Sequence, residues 1–165
     1  MNLRRLCRHL VMTHGRVRRI FPRTALQAIE TTIRASERAH VGEIRFVVEG
    51  GLDGVPLLRG QTPRERAIEV FAQLRVWDTE YNNGVLIYLL LADRDVEIVA
   101  DRGISAKVPQ VEWDEICRTM EAAFQVSNYE AGVISGIQAV SQHLISTFPA
   151  HDAGRNELSD RPLLL

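Results

Sequence analysis

Trp77-Asp78-Thr79-Glu80-Tyr81-Asn82-Asn83-Gly84-Val85-Leu86-Ile87-Tyr88-Leu89-Leu90-Leu91-Ala92 decides the fold of this 165-residue chain. A polar loop with two asparagines and a glycine runs without transition into eight almost wholly apolar residues. A strand that apolar is buried on both faces, which places it centrally in a sheet covered by helices on each side. The loop that feeds it is then held against one rim of the sheet, where polar side chains can act on something.

Working outward, Asp93-Arg94 forms a tight turn into a second strand, 95–100, with Val96 and Ile98 on one face. Upstream, residues 43–49 alternate Ile44, Phe46 and Val48 with Glu43, Arg45 and Glu49, a strand with one buried face or one near the sheet edge. Between them, Thr62-Pro63-Arg64-Glu65 combines a cap, a proline at the first helical position and a glutamate at the third. It predicts a helix over 63–76 with Ala67, Val70, Phe71 and Leu74 inward and Trp77 continuing the stripe.

Three more helices are predicted. One spans 24–39 from the capping-box pair Thr24 and Gln27. Another spans 112–125 with Trp113, Ile116, Cys117, Met120 and Phe124 inward, and the last starts at Ser127-x-x-Glu130 and presents Tyr129, Val133, Ile137, Val140 and Leu144. The order helix, strand, helix, strand, strand, helix, helix, with a right-handed crossover, predicts an α/β fold: a three-layer α/β/α sandwich around a small mixed central sheet, Rossmann-like.

Apolar content of 45% and charged content of 25% are ordinary for a soluble globular protein of one domain. The net charge of -1 hides an uneven distribution. Residues 1–40 carry nine arginines against Glu30 and Glu37, a net of +7, while the remainder carries eleven basic and nineteen acidic residues, a net of -8. We divide the chain into a basic N-terminal arm, 1–21, an α/β domain, 22–149, and a mobile tail, 150–165. The arm, broken at Gly15, is read first as a covering segment; it is also suited to an anionic membrane surface. Nucleic acid is disfavoured, because no aromatic residues interleave the arginines.

No stretch reaches the roughly 18 apolar residues of a membrane span, and no secretory signal is visible. The expected location is cytoplasmic, peripheral at the inner membrane surface. Cys7 and Cys117 are too few for a disulfide framework, and Cys7-x-His9-x4-His14 is not a zinc spacing.

Chain direction sorts the polar groups onto two rims. The upper rim gathers Glu49, Asp53, Asp93, Asp95 and the helix start at Thr62, but neither phosphate-loop nor dinucleotide pattern is present. The lower rim gathers His40, Glu43, Trp77, Asp78, Thr79, Asn82, Asn83, Asp101 and Arg102. Asp78, Asn83 and Asp101 are the hard oxygen donors that Ca²⁺ or Mg²⁺ prefers. Asp78, Asp101 and His40 are the candidate catalytic groups, His40 for proton transfer; Trp77, Thr79, Asn82, Asn83 and Arg102 are candidate binding residues. A plain structural reading stands beside each: the asparagines form the turn, Asp101 pairs with Arg102 or Arg75, and His40 is a surface residue.

Trp77…Asn82-Asn83-Gly84-Val85-Leu86-Ile87, then Asp93-Arg94-x-Val96-x-Ile98 and Asp101-Arg102-Gly103-Ile104, resembles the TPM domain family, as does Phe124-x4-Tyr129-Glu130-x-Gly132. The family includes thylakoid acid-phosphatase-like, photosystem II repair-like and bacterial envelope proteins, and the resemblance covers residues 22–149. It implies a sheet between helices, a divalent-metal site and acid phosphatase activity, or a role in membrane-protein maintenance without chemistry. Many members continue after the third strand with a Gly-x-Gly-Leu-Glu-like run and a further aspartate. Here Arg102 to Pro109 carries no acid, and Lys107 is added. The expectation is therefore an accessory domain that binds a protein or membrane partner, with metal-assisted hydrolysis of phosphomonoesters as the alternative.

Overall fold

The computed structural model describes residues 3–150 and 156–165. Among them, β1 (Glu43–Glu49), β2 (Gly84–Leu90), β3 (Asp95–Ala100) and β4 (Leu163–Leu164) form one sheet in the order β3-β2-β1-β4. β1 and β2 are parallel, with Glu43 opposite Gly84 and Glu49 opposite Leu90. β3 returns antiparallel to β2, and β4 lies parallel to β1 with Val47 opposite Leu163.

Strand alternation divides the core in two. Ile44, Phe46, Val48, Val85, Ile87, Leu89, Val96 and Ile98 face α3 (Arg23–Ser36), α7 (Gln110–Gln125) and α8 (Tyr129–Thr147). Val47, Leu86, Tyr88, Leu90 and Val99 face α5 (Pro63–Gln73) and the short α4 (Gly54–Leu58). Every residue of β2 is buried, as its unbroken apolar run requires. The three-layer mixed sandwich expected from the element order is the fold observed.

The arm folds as α1 (Leu3–Val11) and α2 (His14–Ile20), dividing at Met12-Thr13 rather than at Gly15. Val17 and Phe21 enter the core, and His9 is buried. α1 is fastened to the β2–β3 turn: Arg5 Nε and Arg8 Nη2 donate to Asp93 at 2.9 and 3.0 Å. A short α6 (Arg102–Ser105) follows β3.

Several expectations are corrected. α5 ends at Gln73; Arg75, at φ 53, turns the chain outward, so Trp77 is 46% exposed instead of continuing the buried stripe. α3 begins at Arg23 after Pro22, leaving Thr24 inside the helix. Ser127, at φ 62, closes α7, and Asn128 takes the N-cap of α8 without a side-chain bond. The tail expected to be mobile supplies an edge strand where it is described: Glu43 accepts from the N–H groups of Glu157 and Leu158, and Leu165 N donates to Val48 O at 3.0 Å. Residues 151–155 of that tail lie outside the described residues.

Candidate functional site

The lower rim is built around the entry to β2. Thr79 Oγ1 accepts from Asn83 N at 3.1 Å, closing the loop. Asn82 adopts φ 51, a left-handed conformation that asparagine tolerates better than most residues. Its Oδ1 accepts from Arg102 Nε at 3.0 Å, and its backbone oxygen accepts from Gly103 N at 2.9 Å. Asn83 is buried and donates its Nδ2 to Val41 O at 3.0 Å. Gly84 has no substitute here, since a Cβ would stand 2.0 Å from Val76 O.

Asp101 joins the same assembly from the end of β3. Its N donates to Gly84 O at 2.9 Å, and its Oδ1 accepts from Arg102 N at 2.7 Å, capping α6. Oδ2 is buried without a partner among the described residues. His40 is buried behind this assembly, and its Nδ1 donates to Gly42 O at 3.0 Å. That bond leaves Nε2 as an unpartnered acceptor, and burial holds the imidazole below its usual pKa.

Thr79, Asn82, Asn83, Asp101 and Arg102 are thus joined in one hydrogen-bonded unit, with His40 reached through the neighbouring Val41. Asp78 stands apart: its half-exposed carboxylate pairs with Arg75 Nη2 at 2.7 Å. The Arg75 guanidinium also lies 5.6 Å from the Trp77 ring centre. Arg75 therefore partners Asp78 rather than Asp101, Asp101 is bonded to Arg102 through its backbone N, and His40 is not a surface group.

These residues do not suit a divalent cation. Ca²⁺ takes six to eight oxygens, and Mg²⁺ needs a near-octahedral shell. Here the Asp78 carboxylate is held by Arg75 and the Asn82 oxygen by the Arg102 guanidinium. Asp101 Oδ2 is the one orphaned carboxylate oxygen of the set, and no group of three or more His, Cys, Asp or Glu among the described residues could hold a metal.

The upper rim holds groups that linear reading did not connect. Tyr88 Oη donates to Glu49 Oε2 at 2.7 Å, and Arg66 Nε donates to the same oxygen at 2.9 Å. Burial and the adjoining carboxylate raise the tyrosine pKa. On α1, Leu6 packs on the second core cluster beside buried His9, whereas Leu3, Cys7, Leu10 and Val11 point outward. The spacing i, i+4, i+7, i+8 in the sequence was the available signal for that outward stripe.

The fold and rim define a small α/β domain with a lower edge knotted by an Asn-Asn-Gly strand entry. The family model described as TPM domain matches residues 18–143, and the chain belongs to this family. Among solved structures, the chain is similar to the BA42 protein of the psychrophilic bacterium Bizionia argentinensis, with 28% identity and a TM-score of 0.73 over 86% of this chain and 93% of that one. It shares its fold with the N-terminal domain of a P. gingivalis protein, at 21% identity and a TM-score of 0.60, over 79% of this chain and 82% of that one. No functionally curated protein matches the chain. No described helix is long and apolar enough to cross a membrane.

Proposed function

We propose that this protein is a TPM-type accessory domain that acts by binding, docking on an anionic membrane surface in the maintenance of membrane or envelope proteins. The observation that carries the reading is the outward face of α1: Leu3 and Leu10 are 69% and 67% exposed, Val11 is 53% exposed, and Cys7 is exposed beside them. Arg4 and Arg8 flank this stripe, and Arg16, Arg18 and Arg19 follow on α2. An apolar face bordered by arginines suits the boundary between lipid headgroups and acyl chains. The helix is held in place from beneath by Asp93, so its outer face is presented without being needed for packing.

The test is co-sedimentation with vesicles containing phosphatidylserine or phosphatidylcholine alone. Deleting residues 1–21 would remove Val17 and Phe21 from the core, so the comparison uses Leu3→Ser, Leu10→Ser and Val11→Ser together. The native chain should sediment with the anionic vesicles and the triple variant should stay in solution. Equal sedimentation of both defeats the reading.

A protein partner at the lower rim is the second reading. Trp77 and Tyr81 are both about half exposed beside Arg75 and Arg102, the residue types that dominate interface energetics. The metal-assisted phosphatase has one supporting observation, the unpartnered Asp101 Oδ2, and a donor set that does not suit the cation.

A further inference from the structure

A groove of about 1010 Å³ runs beside the sheet's β4 edge, lined by the end of α2, the first two turns of α3, Arg45 of β1, Ser159 and residues 161–164. Phe21, Pro22, Leu26, Pro162, Leu163 and Leu164 give it an apolar floor. Its volume lies at the top of the range for small-molecule sites, about 300–1,000 Å³.

The charge along this groove is one-sided. Arg18, Arg23, Arg45 and Arg161 line it, against Glu30 alone. Glu30 is already bonded to Arg34 at 2.8 Å. Arg45 donates to the carbonyls of Ser159 and Arg161 and so braces one wall. The guanidinium groups of Arg18, Arg23 and Arg161 make no hydrogen bond or ion pair with any described residue.

The start of α3 adds to this field. Pro22 at the N-cap has no acceptor side chain, and the first turn contains no acid. The first-turn N–H groups and the positive end of this 14-residue helix are therefore left uncompensated beside Arg23. Glu30 lies two turns further on, about 10 Å along the axis, with Leu26 between. The groove therefore has a basic head and an apolar trough.

We propose that this groove binds an amphiphilic organic anion, its phosphate or carboxylate head held by Arg18, Arg23 and Arg161 and its alkyl body lying on Leu26, Leu163 and Leu164. An acidic peptide is the poorer occupant. Strand addition needs a long free edge, and β4 spans only Leu163–Leu164. The site does not depend on vesicle docking through α1, and Arg18 is the one residue named for both.

Calorimetric titration of the full chain with dodecyl phosphate below its micellar concentration, accompanied by amide NMR, tests the proposal. Shifts are expected at Arg23, Gln27, Leu163 and Leu164. Arg23→Gln and Arg161→Gln should each weaken binding about tenfold, the loss of one charge-assisted contact. Both side chains are exposed, so these changes leave the fold intact. Dodecyl maltoside, with a neutral head, and inorganic phosphate, with no tail, should each bind at least tenfold more weakly than dodecyl phosphate. The proposal is overturned by no binding, by equal binding of either control, by binding that neither arginine variant weakens, by shifts confined to Leu3, Leu10 and Val11, or by a Glu-rich peptide that binds the groove more tightly.

Discussion

His9 Nε2 stands 3.2 Å from Asp93 Oδ2, bringing the N-terminal helix to the turn that ends the central strand. The same imidazole accepts from Leu52 N through Nδ1 at 2.8 Å, which assigns its proton to Nε2 and aims that proton toward Asp93, although not in line for a hydrogen bond. Arg5 and Arg8 converge on the same carboxylate. One turn aspartate thereby holds two arginines of α1 and faces its buried histidine. Asp93→Ala should cost about 2 kcal/mol in denaturant unfolding, because the largely buried Arg5 guanidinium loses its counter-charge. It should also speed amide exchange at Leu52. Arg8→Ala, at a 56% exposed side chain, should cost less than about 1 kcal/mol. Equal losses for the two variants would show that Asp93 is not the fastening point.

The Asn-Asn-Gly entry makes a steric prediction. A Cβ at Gly84 would sit 2.0 Å from Val76 O and 3.0 Å from Val76 Cγ1, and a backbone carbonyl cannot step aside as a flexible side chain can. Gly84→Ala should therefore destabilise the protein by at least about 3 kcal/mol, the upper range for single substitutions. Gly54→Ala is the comparison: nothing lies within 4 Å, and only the φ of 52 opposes it, so about 1 kcal/mol is expected. Similar unfolding midpoints for the two variants would contradict the role assigned to Gly84.

What could be read in advance was whatever depended on period and burial. The run 85–92 could only be a central strand, and the alternation in 95–100 marked its antiparallel neighbour. The stretch 43–49, expected to bury one face or to lie near the edge, instead lies between β2 and β4 with every residue but Arg45 buried. Sequence did not give the departure of the chain at Arg75, because a left-handed arginine carries no compositional mark. That one backbone turn moved Trp77 from core to surface. The strand at Leu163–Leu164 was hidden for a different reason: two residues have no period, and their place depends on Glu43 and Arg45 far upstream. At the lower rim, the grouping of Thr79, Asn82, Asn83, Asp101 and Arg102 followed from topology. Which of their polar atoms the fold itself occupies did not, since that depends on distances no linear pattern records.

Two partly buried carboxyls contribute a pH dependence of stability. Glu37 is pushed up to about 8, first by burial, with Glu43 and Asp160 adding to the effect, while a bond from Ile44 N opposes it. Asp95 is pushed up to about 7 by burial and by Glu97, Glu121 and Asp93. Both native pKa values lie above those of the unfolded chain, so the folded protein holds these protons more tightly. The resulting stability is fully present below about pH 4 and is lost as pH rises through 7 to 8. Against the unrelated titrations of other groups, the direct comparison is Glu37→Gln, which keeps an oxygen for Ile44 N and carries no titrating proton. Between pH 5 and 8.5 the native chain should lose at least about 1 kcal/mol more than this variant. Parallel pH profiles would remove Glu37 as a source of the dependence.

Asp101 separates a structural rim from a catalytic one. Its Oδ1 caps α6 through Arg102 N, so Asp101→Ala should cost about 1 kcal/mol of stability, and Asp101→Asn, which retains an oxygen acceptor, should cost less. If the rim serves architecture and partner binding, hydrolysis of p-nitrophenyl phosphate between about pH 4 and 7 stays at background for the native chain and both variants, with Mg²⁺, with Ca²⁺ or with neither. Metal-dependent turnover that disappears in Asp101→Asn while the unfolding midpoint holds would reverse the assignment. The unpartnered Oδ2 would then be a reactive group, and the 2.7 Å bond at Oδ1 would serve to orient it. Stability and turnover respond to different oxygens of one carboxylate, so measuring both on the same two variants separates the readings.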